Sequence, residues 1–226
     1  MRTREPVVAI DGPAGSGKST IAKMIAARLH FTHINTGALY RGVALLALEK
    51  GANLDSESEV VIAAKSATFE FRASTAGNVL HIDDRDVGSE IRSEEVGLAA
   101  SKVSAYPGVR KILLGLQRDL GAQGGVVLEG RDIGTVVFPE AEVKIFLTAS
   151  IEARAERRTK ELMAKGEQVD LEKIKAEMAL RDKQDSTRAV APLKKADDAH
   201  LVDTSNMSIE TVLDRLESIV RNGKKP

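Results

Sequence analysis

Apolar residues fall along this chain in two rhythms, short unbroken runs and stripes at helical spacing. Val7-Val8-Ala9-Ile10, Val126-Val127-Leu128, Val143-Lys144-Ile145-Phe146-Leu147 and Ala199-His200-Leu201-Val202 read as buried strands, with Phe31-Thr32-His33-Ile34 as another short one. Between them, Ile21, Met24, Ile25 and Leu29 stripe one helix, and Leu39, Val43, Leu46 and Ala47 a second that Gly51 closes. Ser56-x-x-Glu59 is a capping box that opens a third. Residues 89–105 are expected to be helical, and Pro107 suits the first turn of the next helix. Its stripe is Val109, Ile112, Leu113, Leu116 and Leu120, ended by Gly121. Ser150, Asp170 and Ser208 each stand where an N-cap would start a helix, the last striped by Ile209, Val212, Leu213, Leu216 and Val220.

The period changes once. Phe69 and Phe71 alternate with Glu70 and Arg72, and Leu80 and Ile82 alternate likewise after residues 73–78, which predicts an antiparallel hairpin with one wet face. Helices alternating with short apolar strands predict an α/β protein, a mainly parallel five-stranded sheet with helices on both faces. The hairpin is then an inserted subdomain. Residues 1–6 and the polar stretch 222–226 add no element.

A length of 226 residues suits one large α/β domain with a modest insertion. Lys plus Arg and Asp plus Glu number 33 each, so the overall charge favours neither nucleic acid nor an anionic membrane as partner. With no cysteine, disulfides and thiolate metal sites are excluded. No apolar run approaches a membrane span and no secretory h-region is visible, so a cytoplasmic protein is expected. Aromatics at 3% and no Trp argue against a base-stacking platform. His30, His33, His81 and His200 show no ligand spacing, and Met24 and Met178 suit packing.

The chemistry begins at Gly12-Pro13-Ala14-Gly15-Ser16-Gly17-Lys18-Ser19-Thr20, which fits G-x-x-x-x-G-K-[ST] between a strand and a helix. Glycines let backbone N–H groups turn toward phosphate oxygens, and the helix adds its positive end. Lys18 can reach the β/γ-phosphates and the Ser19 hydroxyl can ligate Mg²⁺. Such a loop serves switches, motors and kinases alike. None of the Asn residues is followed by Lys, so the N-K-x-D sequence expected of a guanine-reading switch is missing. Arg41, Arg92, Arg110, Arg131, Arg157, Arg158, Arg181 and Arg188 offer bidentate phosphate clamps for a second phosphate-bearing ligand. Taken singly, each also suits a solvated helix face. Arg154, Arg157 and Arg158 have acidic neighbours such as Glu161 at helix-pair spacing. Arg181, Asp185 and Arg188 share one helix face, and the first two could simply pair.

Longer blocks are more specific. Beside Ile10-Asp11-Gly12-Pro13 through Ser19 they are Thr36-Gly37-Ala38-Leu39-Tyr40-Arg41, Glu90-Ile91-Arg92, Ala100-Ser101-x-Val103, Pro107-Gly108-Val109-Arg110, Gly130-Arg131-Asp132-Ile133-Gly134-Thr135-Val136-Val137-Phe138-Pro139, Val143-Lys144-Ile145-Phe146-Leu147, Arg181-Asp182 and Asp185-x-x-Arg188-Ala189-Val190-Ala191-Pro192-Leu193. With these the chain resembles the bacterial-type cytidylate kinases along essentially its whole length. The resemblance implies a three-layer phosphate-loop NTPase fold in one domain, residues 1–226. Within it would lie a monophosphate-binding insert near 36–105 and a helical lid near 151–168. It implies transfer of the ATP γ-phosphoryl group to CMP or dCMP with Mg²⁺, in pyrimidine nucleotide metabolism, by a monomer.

The same resemblance implies roles. Lys18 and the loop from Gly12 to Thr20 would hold ATP, under a lid carrying Arg157 and Arg158. Ser101, Arg110 and Asp132 would face the cytosine, and Asp185 a ribose hydroxyl. Arg41, Arg131 and Arg188, with Arg181 nearby, would hold the acceptor phosphate, and Thr36, Gly37 and Tyr40 would line the acceptor site. Relatives usually carry Asp where this chain has Asn35, a charge lost near the expected metal region. Two alternatives stand beside this reading: a kinase for UMP, AMP or a small alcohol, with Asp132 as base, and an ATP-driven switch or motor.

Overall fold

The computed structural model describes residues 4–75, 77–164 and 166–222. In chain order the elements are β1 (Val7–Asp11), α1 (Lys18–Leu29), β2 (Thr32–Asn35), α2 (Thr36–Glu49), α3 (Glu57–Lys65), β3 (Phe69–Ser74), β4 (Gly77–Ile82) and β5 (Arg85–Asp86). There follow α4 (Glu94–Val103), α5 (Pro107–Gly121), β6 (Val126–Gly130), β7 (Val143–Thr148), α6 (Ile151–Met163), α7 (Leu171–Thr187), β8 (His200–Asp203) and α8 (Ile209–Asn222). The chain divides into two compact units, one formed by residues up to 32 with those from 124 on, the other by residues 33–123. The 36–105 segment singled out by sequence lies inside the latter.

The parallel sheet that the apolar runs predict has the order β2-β6-β1-β7-β8, and the first unit is built on β1, β6, β7 and β8. Central β1 is buried at all five positions, as a strand covered on both faces must be. Its register sets Ile10 opposite Glu129 and Asp11 opposite Gly130 on one side, and Asp11 opposite Phe146 on the other. Side chains alternate along the strand. Val8 and Ile10 pack with Ile21, Ile25, Leu213 and Leu216 of α1 and α8 in one core. Asp11 points to the opposite face, where the π-helical turn Ile133–Val137 follows β6.

In the second unit α2 is apolar nearly all round, and Leu39, Val43, Ala44 and Ala47 are fully buried. It packs with α3, α4 and the β3–β4 hairpin in a core of its own. Gly42 makes room for the hairpin, because a Cβ there would stand 2.7 Å from Leu80 Cδ2. Phe69 pairs with Ile82 and Phe71 with Leu80, while Arg72 joins Glu70 and Asp84 on the wet face.

Two element boundaries depart from the periodic reading. The stretch 89–105 is broken: a 3₁₀ turn at Glu90–Arg92 precedes α4, because extended Ser93 caps the helix through its hydroxyl on the Val96 N–H. Helix α2 starts at Thr36 rather than Leu39, because the Asn35 side chain accepts from the Ala38 N–H. Among the described residues no helix is long and apolar enough to cross a membrane.

Gly12 joins β1 to the loop with φ 152°, and a Cβ there would stand 2.0 Å from the Leu147 carbonyl oxygen. That oxygen belongs to backbone and cannot swing aside. Gly12→Ala is therefore expected to destabilise the protein by more than about 3 kcal/mol, read as a drop in Tm in thermal unfolding.

Candidate active site at the carboxyl ends of the strands

Three glycines of the first loop, Gly12, Gly15 and Gly17, have φ of 152°, 73° and 88°. The chain thereby curls round to α1 without side chains blocking its N–H groups. Gly17 stands at the N-cap of α1 and supplies no side-chain cap, so the first N–H groups of the helix keep their donors for an anion. Lys18 is buried and folds back onto the loop, its Nζ donating to the Pro13 carbonyl at 2.6 Å and to Ser16 Oγ at 3.4 Å. Burial first, then the neighbouring Arg131, hold its ammonium well below the usual lysine range; Arg181 adds to this, while Glu129 and Asp11 oppose it. Arg131 and Arg181 thus lie close enough to Lys18 to act on its charge.

Glu129, at the end of β6, is buried and accepts from the Ser19 hydroxyl at 2.8 Å. A hydroxyl and a carboxylate beside a phosphate loop form an oxygen donor set that suits Mg²⁺, which is usually held by one or two carboxylates and substrate phosphates. No cage of three or more His, Asp or Glu exists among the described residues.

Directly after β6 come Arg131 and Asp132. Arg131 Nε donates to Asp185 of α7 at 2.8 Å, and Arg188 approaches Asp132 at 3.5 Å with both side chains buried. Arg188 is itself aimed by the Ala191 carbonyl, which accepts from Nε at 2.6 Å. Ala191 has φ 50°, an uncommon conformation for a residue with a Cβ. The ion pair formed at Asp185 is thus with Arg131, whereas spacing alone had pointed to Arg181. Asp11, ahead of the loop, accepts from the N–H groups of Ile133 at 2.8 Å and Gly134 at 2.7 Å. Burial raises its pKa from 3.8 to about 6, against those two hydrogen bonds, and the Asp132 charge adds to the rise.

The three arginines of α6 part company. Only Arg158 makes the helix pair its spacing suggests, with Glu161 at 3.4 Å. Arg154 is buried and turns to the loop, donating to the carbonyls of Ala149 and Ala14 and pairing with Asp182 at 2.7 Å. Arg157 donates to Thr204, at the hydroxyl (3.1 Å) and at the carbonyl (2.6 Å). The Thr204 hydroxyl in turn reaches the carbonyls of Thr148 and Ser16.

The second unit carries its own set. Arg110 is buried, its guanidinium 5.5 Å from the centroid of the Tyr40 ring and its Nη1 donating to the Ser104 carbonyl. Ser104 Oγ donates to the carbonyl of Ser101, which is half-buried. Arg41 donates to the Ile91 carbonyl and lies over Gly97, where a Cβ would stand 3.2 Å from Nη1. Arg92 is exposed. Thr36 is buried in the first turn of α2, and Gly37 sits against the Asn35 cap, 3.1 Å from Oδ1 to a built Cβ. Asn35 therefore has a structural occupation that either amide or carboxylate could fill.

Four residues with evident work here had no assigned role in the sequence: Asp11, Glu129, Arg154 as a loop anchor, and Thr204. The first two share a signal that topology supplies, a carboxylate at the C-terminal end of adjacent parallel strands, where open α/β sheets gather ligands.

Known proteins resemble this chain over nearly its whole length. The family model described as cytidylate kinase matches residues 8–222. The cytidylate kinase of Geobacillus sp. (strain WCH70) is 50% identical over 213 residues, covering 94% of this chain and 95% of its own. That of Thermosipho melanesiensis is 50% identical over 214 residues, covering 95% and 96%, and that of Carboxydothermus hydrogenoformans 48% over 213, covering 94% and 96%. Among solved structures, an uncharacterized protein from Eubacterium ventriosum shares the fold, with TM-score 0.53, 11% identity and coverage of 96% and 99%.

The Asp11 carboxyl gives a direct check on the buried electrostatics. Folded, it keeps a proton between pH 3.8 and about 6 that the unfolded chain has lost, so its contribution to stability falls as pH rises through that window. The loss amounts to about 3 kcal/mol above pH 6. A ¹³C NMR titration of the ligand-free protein is expected to show the Asp11 midpoint near 6.

Proposed function

The chain belongs to the cytidylate kinase family, and on that premise we propose how its residues divide the work of moving the ATP γ-phosphoryl group to CMP or dCMP, giving ADP and CDP or dCDP. The nearness of Arg131 and Arg181 to buried Lys18 carries the reading, because like charges that disfavour the Lys18 ammonium suit a highly charged anion. ATP supplies it. Its phosphates take the N–H groups of Gly12 to Thr20, with Lys18 on the β/γ oxygens, while Arg157 and Arg158 of α6 serve the donor side.

The acceptor phosphate goes to Arg41, Arg131, Arg181 and Arg188. A phosphate monoester with a second pKa of about 6 is largely dianionic at neutral pH and needs no base to attack. Asp132 accepts from the exocyclic amine of cytosine, while Arg110 and Ser101 meet the ring acceptors. Uracil presents an acceptor to Asp132 and is disfavoured. Asp185 takes a ribose hydroxyl, and Thr36, Gly37 and Tyr40 line the acceptor's path. Asp132 is paired with Arg188 and Asp185 with Arg131. A phosphate that draws those arginines off frees the carboxylates for base and sugar, so one ligand exchanges both pairs at once.

The Ser19 hydroxyl and Glu129 would hold Mg²⁺, which would supply neutralisation of phosphate charge and a template for the triphosphate. Catalysis by the chain itself is positioning and charge neutralisation. On this reading the enzyme acts as a monomer on nucleotides of the cytoplasm.

The deciding experiment is ADP formation across a panel of monophosphates. CMP and dCMP are expected to stimulate it strongly, and Asp132→Asn to lower kcat/KM for CMP by about a hundredfold while narrowing the preference over UMP. Equal turnover of UMP and CMP by the unaltered enzyme would refute the base-reading role. Slow hydrolysis indifferent to any acceptor would favour a switch. Glu129→Gln is expected to raise the Mg²⁺ concentration for half-maximal rate by about tenfold or more, with KM for CMP little changed.

A further inference from the structure

Asp11 has no part in the division of labour above, yet both of its side-chain oxygens are engaged. Its two carboxylate oxygens accept from two successive N–H groups, Ile133 and Gly134. Those are the first two residues after Asp132. The peptide plane joining Asp132 to Ile133 is pinned from one side by Asp11. From the other, the Asp132 carbonyl accepts from the Val136 and Val137 N–H groups of the π-turn. Asp132 itself has φ −147° and ψ 25°, and the chain turns there from β6 into the π-turn.

Only a carboxylate does this with so short a side chain. Asparagine has one acceptor oxygen, and its amide would face the other N–H donor. The arrangement is also costly. Asp11 is buried beside the like charge of Asp132, partly offset by Lys18. Gly134 completes the fit: a Cβ there would stand 3.4 Å from Asp11 Oδ2 and 3.2 Å from Lys144 Cδ. Lys144 is in turn held by Asp198 and the Pro139 carbonyl, so that wall does not give easily.

We propose that Asp11 is a positioning residue for base selection, fixing the Asp132 peptide, and through it the Asp132 side chain, against the sheet. The inference rests on the reading of Asp132 as the cytosine acceptor. It makes a distinct demand, because the Asp11 backbone is locked in the β1 ladder against Gly130 and Phe146. Loss of the side chain should leave the phosphate loop where it is. The effect should therefore fall on the acceptor side alone.

The test compares Asp11→Asn, Asp132→Asn and the unaltered enzyme for KM of CMP, KM of ATP and the CMP-over-UMP ratio of kcat/KM, with melting curves to confirm folding. Asp11→Asn is expected to raise KM for CMP about tenfold and lower the ratio about tenfold, with KM for ATP changed less than about twofold. If Asp132→Asn loses discrimination and folded Asp11→Asn keeps it, the positioning role is wrong and the reading of Asp132 survives. Equal rises in KM for both substrates would make Asp11 a general support and overturn the inference. Retained discrimination in Asp132→Asn would sink the reading itself. Should Asp11→Asn fail to fold, Gly134→Ala, which pushes on the same contact without removing it, is judged by the same split.

Discussion

Register in a parallel sheet is the constraint on which the first unit depends. Parallel neighbours cannot be joined by a tight turn, so strands side by side come from distant parts of the chain and their carboxyl ends emerge together. Here that places Ile10-Asp11 beside Glu129-Gly130. From it follow the Ser19–Glu129 hydrogen bond, the hold of Asp11 on the 133–134 peptides, and the nearness of Arg131 to Lys18. A slip of one residue would turn Asp11 into the apolar face shared by Val8 and Ile10, and would undo all three.

What the register gathers is electrostatically unsettled. Burial and the nearby Arg131 weaken the hold of Lys18 on its proton, and a buried carboxylate at Asp11 holds its proton up to about pH 6. Domains with only about 5–15 kcal/mol of stability tolerate few such arrangements, and they are found where a charged ligand later makes them favourable. Preorganised charge of this kind needs no rearrangement at the moment of reaction. The strain is carried by well-anchored neighbours. Arg154 fixes the loop at Ala14, Thr204 joins Ser16 to Arg157, and α1 and α8 share the core under the sheet.

Much of this was legible in the residues. The phosphate loop, the apolar strands, the hairpin and most helix caps are local patterns with local causes, and they appear where the pattern puts them. The Gly130-Arg131-Asp132 block needed the family resemblance, since an acid and a base after a strand are common in any loop. Asp11 and Glu129 were hidden because an acid ending a strand looks like a solvated edge until its neighbour is known. Spacing also offered Arg154 and Arg157 partners on their own helix, because it counts no others, whereas both reach across to loops. Thr204, a lone hydroxyl after a strand, leaves no trace at all. The π-turn at Ile133–Val137 follows neither hydrophobic period, so nothing in the pattern announces it.

The chain has no tryptophan and two tyrosines, Tyr40 and Tyr106, both inside the 33–123 unit. One lies under the Arg110 guanidinium and the other donates its hydroxyl to the Leu54 carbonyl. Intrinsic emission excited near 280 nm therefore originates wholly in that unit, with the sheet and phosphate loop optically silent. Light from this protein is a report on the second unit alone, with one of its two emitters already touching a cation assigned to the incoming base.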